Sequence, residues 1–321
     1  MYQPLVTIII PVYNGSNYLR EAIDCALAQT YKNCEIIVVN DGSTDDGASE
    51  EIALSYTDKI RYFHKENGGV SSALNYAFRQ MKGEWFSWLS HDDLYYPEKI
   101  EKQIQYIANL QESGVDIKKI TVRTATESID KDGKVIRIPS FKNVPEYESR
   151  INTIIHNVYS YKLSGCSFLL PSTCIQDVGN FNENIRTVSD VEYWYRLLFA
   201  GYEFYCLKNE RLVKNRSHGK QVGKTKVALF EKELNDLHIW IGDQLLQMPD
   251  IDVKKVIIQY YKALSLRKMK AASRYIKKTY LRKYTNAIQF YVTIPITCFY
   301  YSLKGTLRGI VRNIYRKLKV K

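Results

Sequence analysis

The chain has 321 residues, of which 45% are hydrophobic and 25% charged, so it can bury a sizeable core and is not a disordered, collagen-like or disulfide-scaffold protein. Its six scattered cysteines contain no Cys-x-x-Cys pair, which indicates reduced thiols in a cytosolic protein. The net charge of +12 is unevenly spread: residues 1–252 hold 28 basic and 34 acidic side chains, whereas residues 253–321 hold 18 basic and no acidic ones. An acidic body argues against nucleic-acid binding, and the basic tail needs a separate explanation.

Strand and helix patterns alternate over the first 110 residues. Short β-branched or apolar runs predict strands at 5–10, 35–39, 60–64 and 85–89. Helices are predicted to begin near Ser16 or Asn17, after Gly68-Gly69 and after Pro97. This alternation is typical of an α/β fold with a doubly wound, mostly parallel sheet. Ligands of such sheets bind beyond the carboxyl ends of the strands, so we expect the clusters at 11–14, 40–42 and 91–93 to meet around one crevice.

The second half of the chain is less regular. Apolar runs predict strands at 120–126 and 165–171, with a hairpin turn at 130–133. A helix is predicted from Ser189, and the chain is predicted to be helical from about residue 225 onward. The run 284–303 is uncharged, but it is interrupted by Pro295 and by the polar residues Gln289, Thr293 and Thr297. We therefore predict a re-entrant or in-plane segment there in preference to a spanning helix.

Several polar residues follow the predicted strands closely. The adjacent carboxylates of Asp92 and Asp93 could share a divalent cation, or they could lie in a solvated turn that precedes a helix. Taken alone, Asp41 and Asp190 favour helix capping, and His218 favours a structural role or an exposed position. The sequence lacks the glycine-rich dinucleotide fingerprint, the P-loop and the G-x-S-x-G motif, which argues against dehydrogenase, P-loop and serine-hydrolase chemistry.

The order and spacing of these segments closely resemble the inverting family 2 glycosyltransferases, which have a GT-A fold. The resemblance rests on segments 7–14, 29–31, 35–45, 66–71, 92–93, 179–183 and 189–197, and spans about residues 5–221. It implies a metal-dependent transfer of a sugar from a nucleotide-diphosphate donor, most simply a UDP-sugar. The acceptor would be a saccharide or a lipid-linked saccharide in the synthesis of a surface polysaccharide such as a capsule.

The resemblance also implies roles for individual residues. Asp190 would be the general base, and Asp93 and His218 would hold Mn²⁺ or Mg²⁺. The nucleotide would contact Pro11, Val12, Tyr13, Asn14, Asp41, Asn67, Gly69, Asn75 and Asp92. Two departures stand out, because many relatives have arginine where this chain has Leu74 and glutamate where it has Ser189. Glu192 is the alternative base.

The resemblance suggests three segments along the chain. Residues 1–112 would bind the nucleotide sugar, residues 113–222 would bind the acceptor and carry the base, and residues 223–321 would form a helical, basic extension. The alternative function is a catalytically silent, glycosyltransferase-like partner of another membrane enzyme. A nucleotidyltransferase is a third possibility, but it would need a glycine- and lysine-rich loop near the N-terminus that this sequence lacks.

The end of the tail has the pattern of a basic amphipathic helix. Apolar side chains recur at helical spacing, flanked by arginine and lysine: Leu307, Ile310, Val311, Ile314, Tyr315 and Leu318. Each basic residue near an anionic leaflet contributes about 1 kcal/mol of attraction. We therefore predict peripheral attachment to the cytoplasmic face of a membrane, with packing of the helix on the body as the alternative.

Overall fold

The structure is a computed structural model that describes residues 2–160, 163–219, 225–249 and 251–285. Contacts along the backbone divide the chain into two units. The first comprises Met1–Thr153 and Lys162–Phe230, and the second comprises Ile154–Tyr161 and Glu231–Lys321. The predicted amphipathic helix at 307–318 and nearly all of the run 284–303 lie outside the described residues.

A single mixed sheet forms the centre of the first unit. Within the described residues it has nine strands: β1 (Val6–Val12), β2 (Cys34–Asp41), β3 (Arg61–Lys65), β4 (Trp85–Trp88), β5 (Leu94–Tyr95), β6 (Ile120–Ile129), β7 (Val135–Arg137), β8 (Phe168–Pro171) and β9 (Glu203–Arg216). The strand order is β3-β2-β1-β4-β8-β6-β9-β5, and β7 pairs with β6. The β3-β2-β1-β4 ladder and the β6–β9 pair are parallel, whereas β8 runs antiparallel to its neighbours. The predicted α/β class with a mostly parallel sheet is confirmed.

Helices cover the sheet wherever the sequence alternates between strand and helix patterns. Those of the first unit are α1 (Leu19–Leu27), α2 (Ala48–Leu54), α3 (Val70–Gln80), α4 (Lys99–Glu112), α6 (Thr173–Val178) and α7 (Ser189–Phe199), and α5 (Arg150–Ser160) crosses the boundary between the units. Strand β1 is buried along its whole length, and its Ile8 and Ile10 share a core cluster with Leu19 and Ile23 of α1. Burying each such side chain contributes about 1.5–3 kcal/mol, so the core fixes the helices against the sheet.

The second unit is helical within the described residues. Its remaining helices are α8 (Val227–Leu245), which begins in the first unit, α9 (Val253–Leu266), α10 (Lys270–Ile276), a π-helical turn (Lys277–Leu281) and α11 (Arg282–Tyr284). Asp252 caps α9, because its carboxylate accepts the backbone N–H of Lys255 at 3.0 Å. Over the ranges described, we find no helix with both the length and the apolar character needed to cross a bilayer.

Several elements of the first unit and its boundary were missing from the sequence-based prediction, among them the short elements β5 and α6. Helix α2 is only seven residues long, and α5 lies in the irregular region 113–164. Strand β9 has 14 residues, but polar and charged side chains in its middle hide any alternation. The five cysteines among the described residues carry free thiols, as their spacing predicted.

A lysine side chain is completely buried between α4 and the sheet. Lys99 Nζ donates to Ser87 Oγ at 2.8 Å and to Gln103 Oε1 at 2.9 Å, and it lies 4.1 Å from the centre of the Tyr95 ring. Burial lowers the pKa of Lys99 to about 7, because a charged ammonium loses its hydration there.

Replacing Lys99 by methionine is expected to change how stability depends on pH. Since the unfolded lysine keeps its proton up to a pKa of about 10.5, the wild-type protein gains stability as pH rises from about 7 towards 10.5, by at most about 1.4 kcal/mol per pH unit. The variant lacks this contribution. Thermal midpoints of both proteins at pH 7 and pH 9.5 measure the difference. Identical pH dependence in the two proteins would contradict a neutral buried lysine.

Candidate active site

The ends of β1 and β2 are joined by hydrogen bonds just beyond the sheet. The Asn14 backbone N–H donates to Ser43 Oγ at 2.9 Å, and its side-chain carbonyl accepts the N–H of Thr44 at 2.7 Å. Asn14 has a φ of 49°, a left-handed conformation that asparagine tolerates better than most residues. Pro11 and Val12 are buried in β1, whereas the Tyr13 side chain is 46% exposed. Of these four residues, Tyr13 and Asn14 are exposed, and Tyr13 offers an aromatic ring to a ligand.

The third predicted cluster packs directly against the first. A Cβ atom added at Gly15 would lie 2.4 Å from His91 Cδ2, so only glycine leaves room for this imidazole. The Leu89 backbone N–H donates to the carbonyl of Ile9 at 2.9 Å, which holds the end of β4 beside β1. The three clusters expected to share one crevice are therefore neighbours at the carboxyl edge of the parallel strands.

Asp41 is the buried carboxylate at the end of β2. Its Oδ1 accepts Lys65 Nζ at 2.7 Å and the backbone N–H of Gly68 at 3.0 Å, and its Oδ2 accepts the N–H of Gly69 at 2.7 Å. Asn67 Nδ2 donates to the backbone carbonyl of Asp41 at 2.8 Å. A carboxylate has about four acceptor positions, so three donors leave one for a ligand.

Asn75, expected to contact the nucleotide, instead holds together two segments of the protein. It is buried on α3, and its Nδ2 donates to the carbonyl of Phe181 at 3.0 Å and to Glu183 Oε1 at 2.8 Å. The Phe181 N–H returns a hydrogen bond to Asn75 Oδ1 at 2.8 Å. Both N–H groups and one oxygen lone pair of the amide are thus taken by a segment about 106 residues further along the chain, which favours a structural role over the predicted nucleotide contact.

Replacing Asn75 by alanine is expected to destabilise the first unit by about 1–3 kcal/mol, because the backbone N–H and carbonyl of the buried Phe181 lose their hydrogen bonds. Urea unfolding followed by tryptophan fluorescence measures this loss. UDP affinity measured well below the unfolding transition is expected to be unchanged. A variant that unfolds like wild type but binds the nucleotide poorly would instead favour a direct contact.

Of the two adjacent carboxylates, Asp92 faces the histidine. His218 Nε2 lies 2.9 Å from Asp92 Oδ2, and both side chains are largely shielded, at 16% and 13% exposure. The ring of Tyr18 lies 5.5 Å from the His218 imidazole. Next to this pair, burial lowers the pKa of His91.

Asp93 points the other way and is held by the protein itself. Its Oδ1 accepts the backbone N–H of Arg216 at 2.8 Å, and its Oδ2 accepts Asn215 Nδ2 at 2.9 Å and the Cys166 thiol at 3.2 Å. Burial and the neighbouring charge of Asp92 raise the pKa of Asp93. This geometry differs from the expected joint role of Asp93 and His218 at a cation, because the Asp93 oxygens bind Asn215, Arg216 and Cys166 whereas His218 contacts Asp92.

Arg216 organises this turn and was not singled out from the sequence. Its Nε donates to the carbonyl of Asp92 at 2.9 Å, its Nη1 to that of Lys131 at 2.9 Å, and its Nη2 to Glu21 Oε2 at 2.8 Å. The guanidinium also lies 4.3 Å from the centre of the Tyr18 ring. The Arg-x-His spacing was the available sequence signal, since Arg216 is the last residue of β9 and His218 lies two residues beyond it.

Asp190 lies in the first turn of α7, partly shielded from solvent. Its Oδ1 accepts the backbone N–H of Val191 at 2.8 Å, and burial raises the pKa of Asp190 to about 6. Glu192 faces elsewhere, because both of its oxygens bind Arg196, at 2.7 and 3.0 Å. Arg186, four residues before Asp190, donates to the backbone carbonyl of Gly68, a contact with no sequence signal. The segment that carries Asp190 therefore reaches the loop that holds Asp41.

Asp92 and His218 form a candidate divalent cation site. Within the described ranges, no group of three or more histidine, cysteine, aspartate or glutamate side chains stands close enough to hold a metal. The pair nevertheless offers a carboxylate oxygen and an imidazole nitrogen side by side. Mg²⁺ sites commonly use one or two protein carboxylates and take their other ligands from substrate phosphates and water, so the pair fits as the protein's share of such a site.

Comparison with known proteins identifies the family. The family description "Glycosyl transferase family 2" matches residues 7–167, which contain Asp41, Asp92 and Asp93. The chain belongs to glycosyl transferase family 2. A glycosyltransferase of Rickettsia prowazekii is 39% identical over 330 residues, which cover 99% of this chain and 98% of that protein. The predicted membership and the predicted enzyme class, a glycosyltransferase, are thus confirmed.

Less similar proteins also match the chain in sequence or in fold. The hyaluronan synthase of Pasteurella multocida is 31% identical over 71% of this chain and 22% of its own length. The crystal structure of Staphylococcus aureus TarS 1-349 with UDP-GlcNAc has a TM-score of 0.64 at 16% identity, over 87% of this chain and 77% of that one, which confirms the GT-A fold. Against three further Rickettsia glycosyltransferases, this chain spans only 33–41% of the relative's length.

Proposed function

We propose that this protein transfers a sugar from a UDP-sugar to a hydroxyl group of a saccharide or lipid-linked saccharide, with inversion at the anomeric carbon. One observation carries the proposal: a continuous series of contacts at the carboxyl edge of the parallel strands. It runs from the Asp190 segment through Arg186 and Gly68 to Asp41, and the contacts of Asn14 and His91 extend this edge to Asp92 and His218. An acidic base, a nucleotide-facing carboxylate and a cation-binding pair are thus assembled on one edge.

Asp190 is assigned the role of general base. A carboxylate with a pKa near 6 is ionised at neutral pH and is a stronger proton acceptor than an ordinary aspartate. It would take the proton of the acceptor hydroxyl as the oxygen attacks the anomeric carbon and the nucleoside diphosphate leaves. Because attack is in line with the leaving group, an α-linked donor gives a β-linked product. The leaving diphosphate needs no proton, so one carboxylate suffices, unlike the pair that hydrolysis requires.

Asp92 and His218 are assigned to the cation. Mn²⁺ or Mg²⁺ held there would neutralise the negative charge that develops on the leaving diphosphate. Asp93 holds the turn that carries Asp92 in place, because its hydrogen bonds with Asn215 and Arg216 connect this turn to β9. Tyr13, exposed at the end of β1, is available to lie against the nucleotide.

The cellular setting is inferred from charge. Eighteen basic and no acidic side chains lie in residues 253–321, which favours an anionic membrane surface as a partner. We infer that the protein attaches to the cytoplasmic face of the cell membrane and extends a surface polysaccharide there. Flotation with anionic and with neutral liposomes tests the attachment. Co-flotation with anionic vesicles only is expected, and failure to float with either would contradict it.

Calorimetric titration with UDP, GDP and CDP, each with and without Mn²⁺, tests the proposed donor class. We expect UDP to bind more tightly than the other two nucleotides, and more tightly with the cation than without it. Absence of binding by all three would instead favour a catalytically silent partner protein. Mass spectrometry of products formed from UDP-sugars and candidate glycan acceptors then tests transfer itself.

A further inference from the structure

Arg186 bridges two segments that lie far apart in the sequence. Arg186 is exposed and lies just before α7. Its Nη1 donates to the backbone carbonyl of Gly68, 118 residues away. The N–H groups of Gly68 and Gly69 donate to the two oxygens of Asp41. The guanidinium is therefore anchored on the same short loop that holds the Asp41 carboxylate.

Gly69 leaves room for this arginine. Its φ is +89°, and a Cβ atom added there would lie 2.5 Å from Arg186 Nη1. A side chain at position 69 would thus displace the guanidinium as well as strain the backbone. Helix α3 supplies no second cation near Arg186 from position 74, because the residue there is a leucine, which is buried in the core. Two cations lie at this loop. Lys65 is paired with Asp41, and the other positive charge is that of Arg186, which lies just before α7.

The hydrogen-bonding groups of this corner match one pyrimidine better than the other. Uracil presents an N3–H donor beside its 4-carbonyl acceptor, whereas cytosine presents an N3 acceptor beside a 4-amino donor. A carboxylate can accept the N3–H of uracil, and a guanidinium can donate to the 4-carbonyl oxygen. Against cytosine both pairings are wrong, since acceptor meets acceptor and donor meets donor.

We propose that Arg186 determines the base specificity of the donor site by donating a hydrogen bond to the 4-carbonyl oxygen of uracil beside Asp41. This inference rests on the proposed function, in which Asp41 lies at the nucleotide base. In the structure Arg186 already contacts a carbonyl oxygen, that of Gly68, which is the same kind of acceptor. A site built from paired donor and acceptor groups rejects a mismatched ligand strongly, because its polar groups are left unpaired.

Calorimetry with UDP, CDP and 4-thio-UDP tests this role, because 4-thio-UDP keeps the N3–H and replaces only the 4-carbonyl oxygen with sulfur, a weak acceptor. Arg186→Ala is expected to weaken UDP binding about ten-fold, the loss typical of one hydrogen bond to a charged group, while CDP binding stays the same or improves. Arg186→Lys, which keeps the charge, is expected to recover part of the UDP affinity. Arg79→Ala is the control, because Arg79 is an exposed arginine on α3 that packs on Tyr76.

The analogue separates recognition from folding. Wild type is expected to bind 4-thio-UDP several-fold more weakly than UDP, and Arg186→Ala, which keeps the Asp41 contact to N3–H, is expected to bind both alike. Equal losses for UDP and CDP in Arg186→Ala, or no loss for either, would overturn the inference. If wild type binds UDP but does not distinguish it from the analogue, the inference fails while the proposed function stands. If wild type binds no nucleotide, the proposed function fails as well.

Discussion

Replacing Asp190 by asparagine is expected to lower kcat about a thousand-fold while leaving UDP-sugar affinity nearly unchanged. A general base contributes about a hundred- to ten-thousand-fold to rate, and the amide cannot accept the hydroxyl proton. The substitution is nearly isosteric and can keep the hydrogen bond from the Val191 N–H. Initial rates of transfer together with calorimetry of the donor separate the two effects. Equal losses in kcat and donor affinity would contradict the assigned role.

The pH profile gives an independent check on the same residue. Because burial raises the pKa of Asp190 to about 6, its basic form predominates only above that pH. The kcat/KM of the wild-type enzyme is therefore expected to rise with pH and to level off above about pH 6. The residual activity of Asp190→Asn is expected to lack this limb.

Glu192→Gln is the matched control, because it removes an acid from the same helix. Glu192 is ion-paired with Arg196 and is 11% exposed, so its loss is expected to lower the thermal midpoint but to keep kcat near the wild-type value. The opposite result, an inactive Glu192→Gln beside an active Asp190→Asn, would make Glu192 the base.

Local pattern was enough to predict the part of the fold that carries the candidate site. The run 5–10 is β-branched and closed by Pro11, and it forms the buried strand β1 because no other element accommodates such a run so well. Parallel strands bring their carboxyl ends to one edge, which is why the clusters at 11–14, 40–42 and 91–93 could be grouped before any coordinates were considered. The helix that begins at Ser189 also followed from local pattern.

Long-range partners were beyond the reach of the sequence. The roles of Asp92 and Asp93 depend on residues 215–218, more than 120 residues away, and the strand that delivers them has no clear alternation. Asn75 likewise has its partners on the segment at 181–183. A motif states which residue types occur together, but the direction of each side chain depends on tertiary packing.

Because Asp92 and Asp93 have different partners, their substitutions are expected to have different effects on cation-dependent UDP binding. Asp92→Asn is expected to remove most of the Mn²⁺-dependent part of UDP binding, about a hundred-fold, because the carboxylate beside His218 loses its charge. The thermal midpoint without cation is expected to change little, since the asparagine amide can still form a hydrogen bond with His218 Nε2. Calorimetry of UDP with and without Mn²⁺, for wild type and variant, measures the loss.

Asp93→Asn is the matched comparison, one residue away, and is expected to behave differently. An asparagine amide would place an N–H₂ group among the donors Asn215 and Arg216 that now surround the carboxylate, at a cost of about 1–3 kcal/mol in stability. The thermal midpoint should therefore fall, while whatever protein stays folded still shows a cation-dependent gain in UDP affinity. If Asp93→Asn instead abolished that gain without a change in midpoint, and Asp92→Asn kept it, the cation would belong to Asp93. The two adjacent variants thus decide which carboxylate binds the cation and which one holds the turn in place.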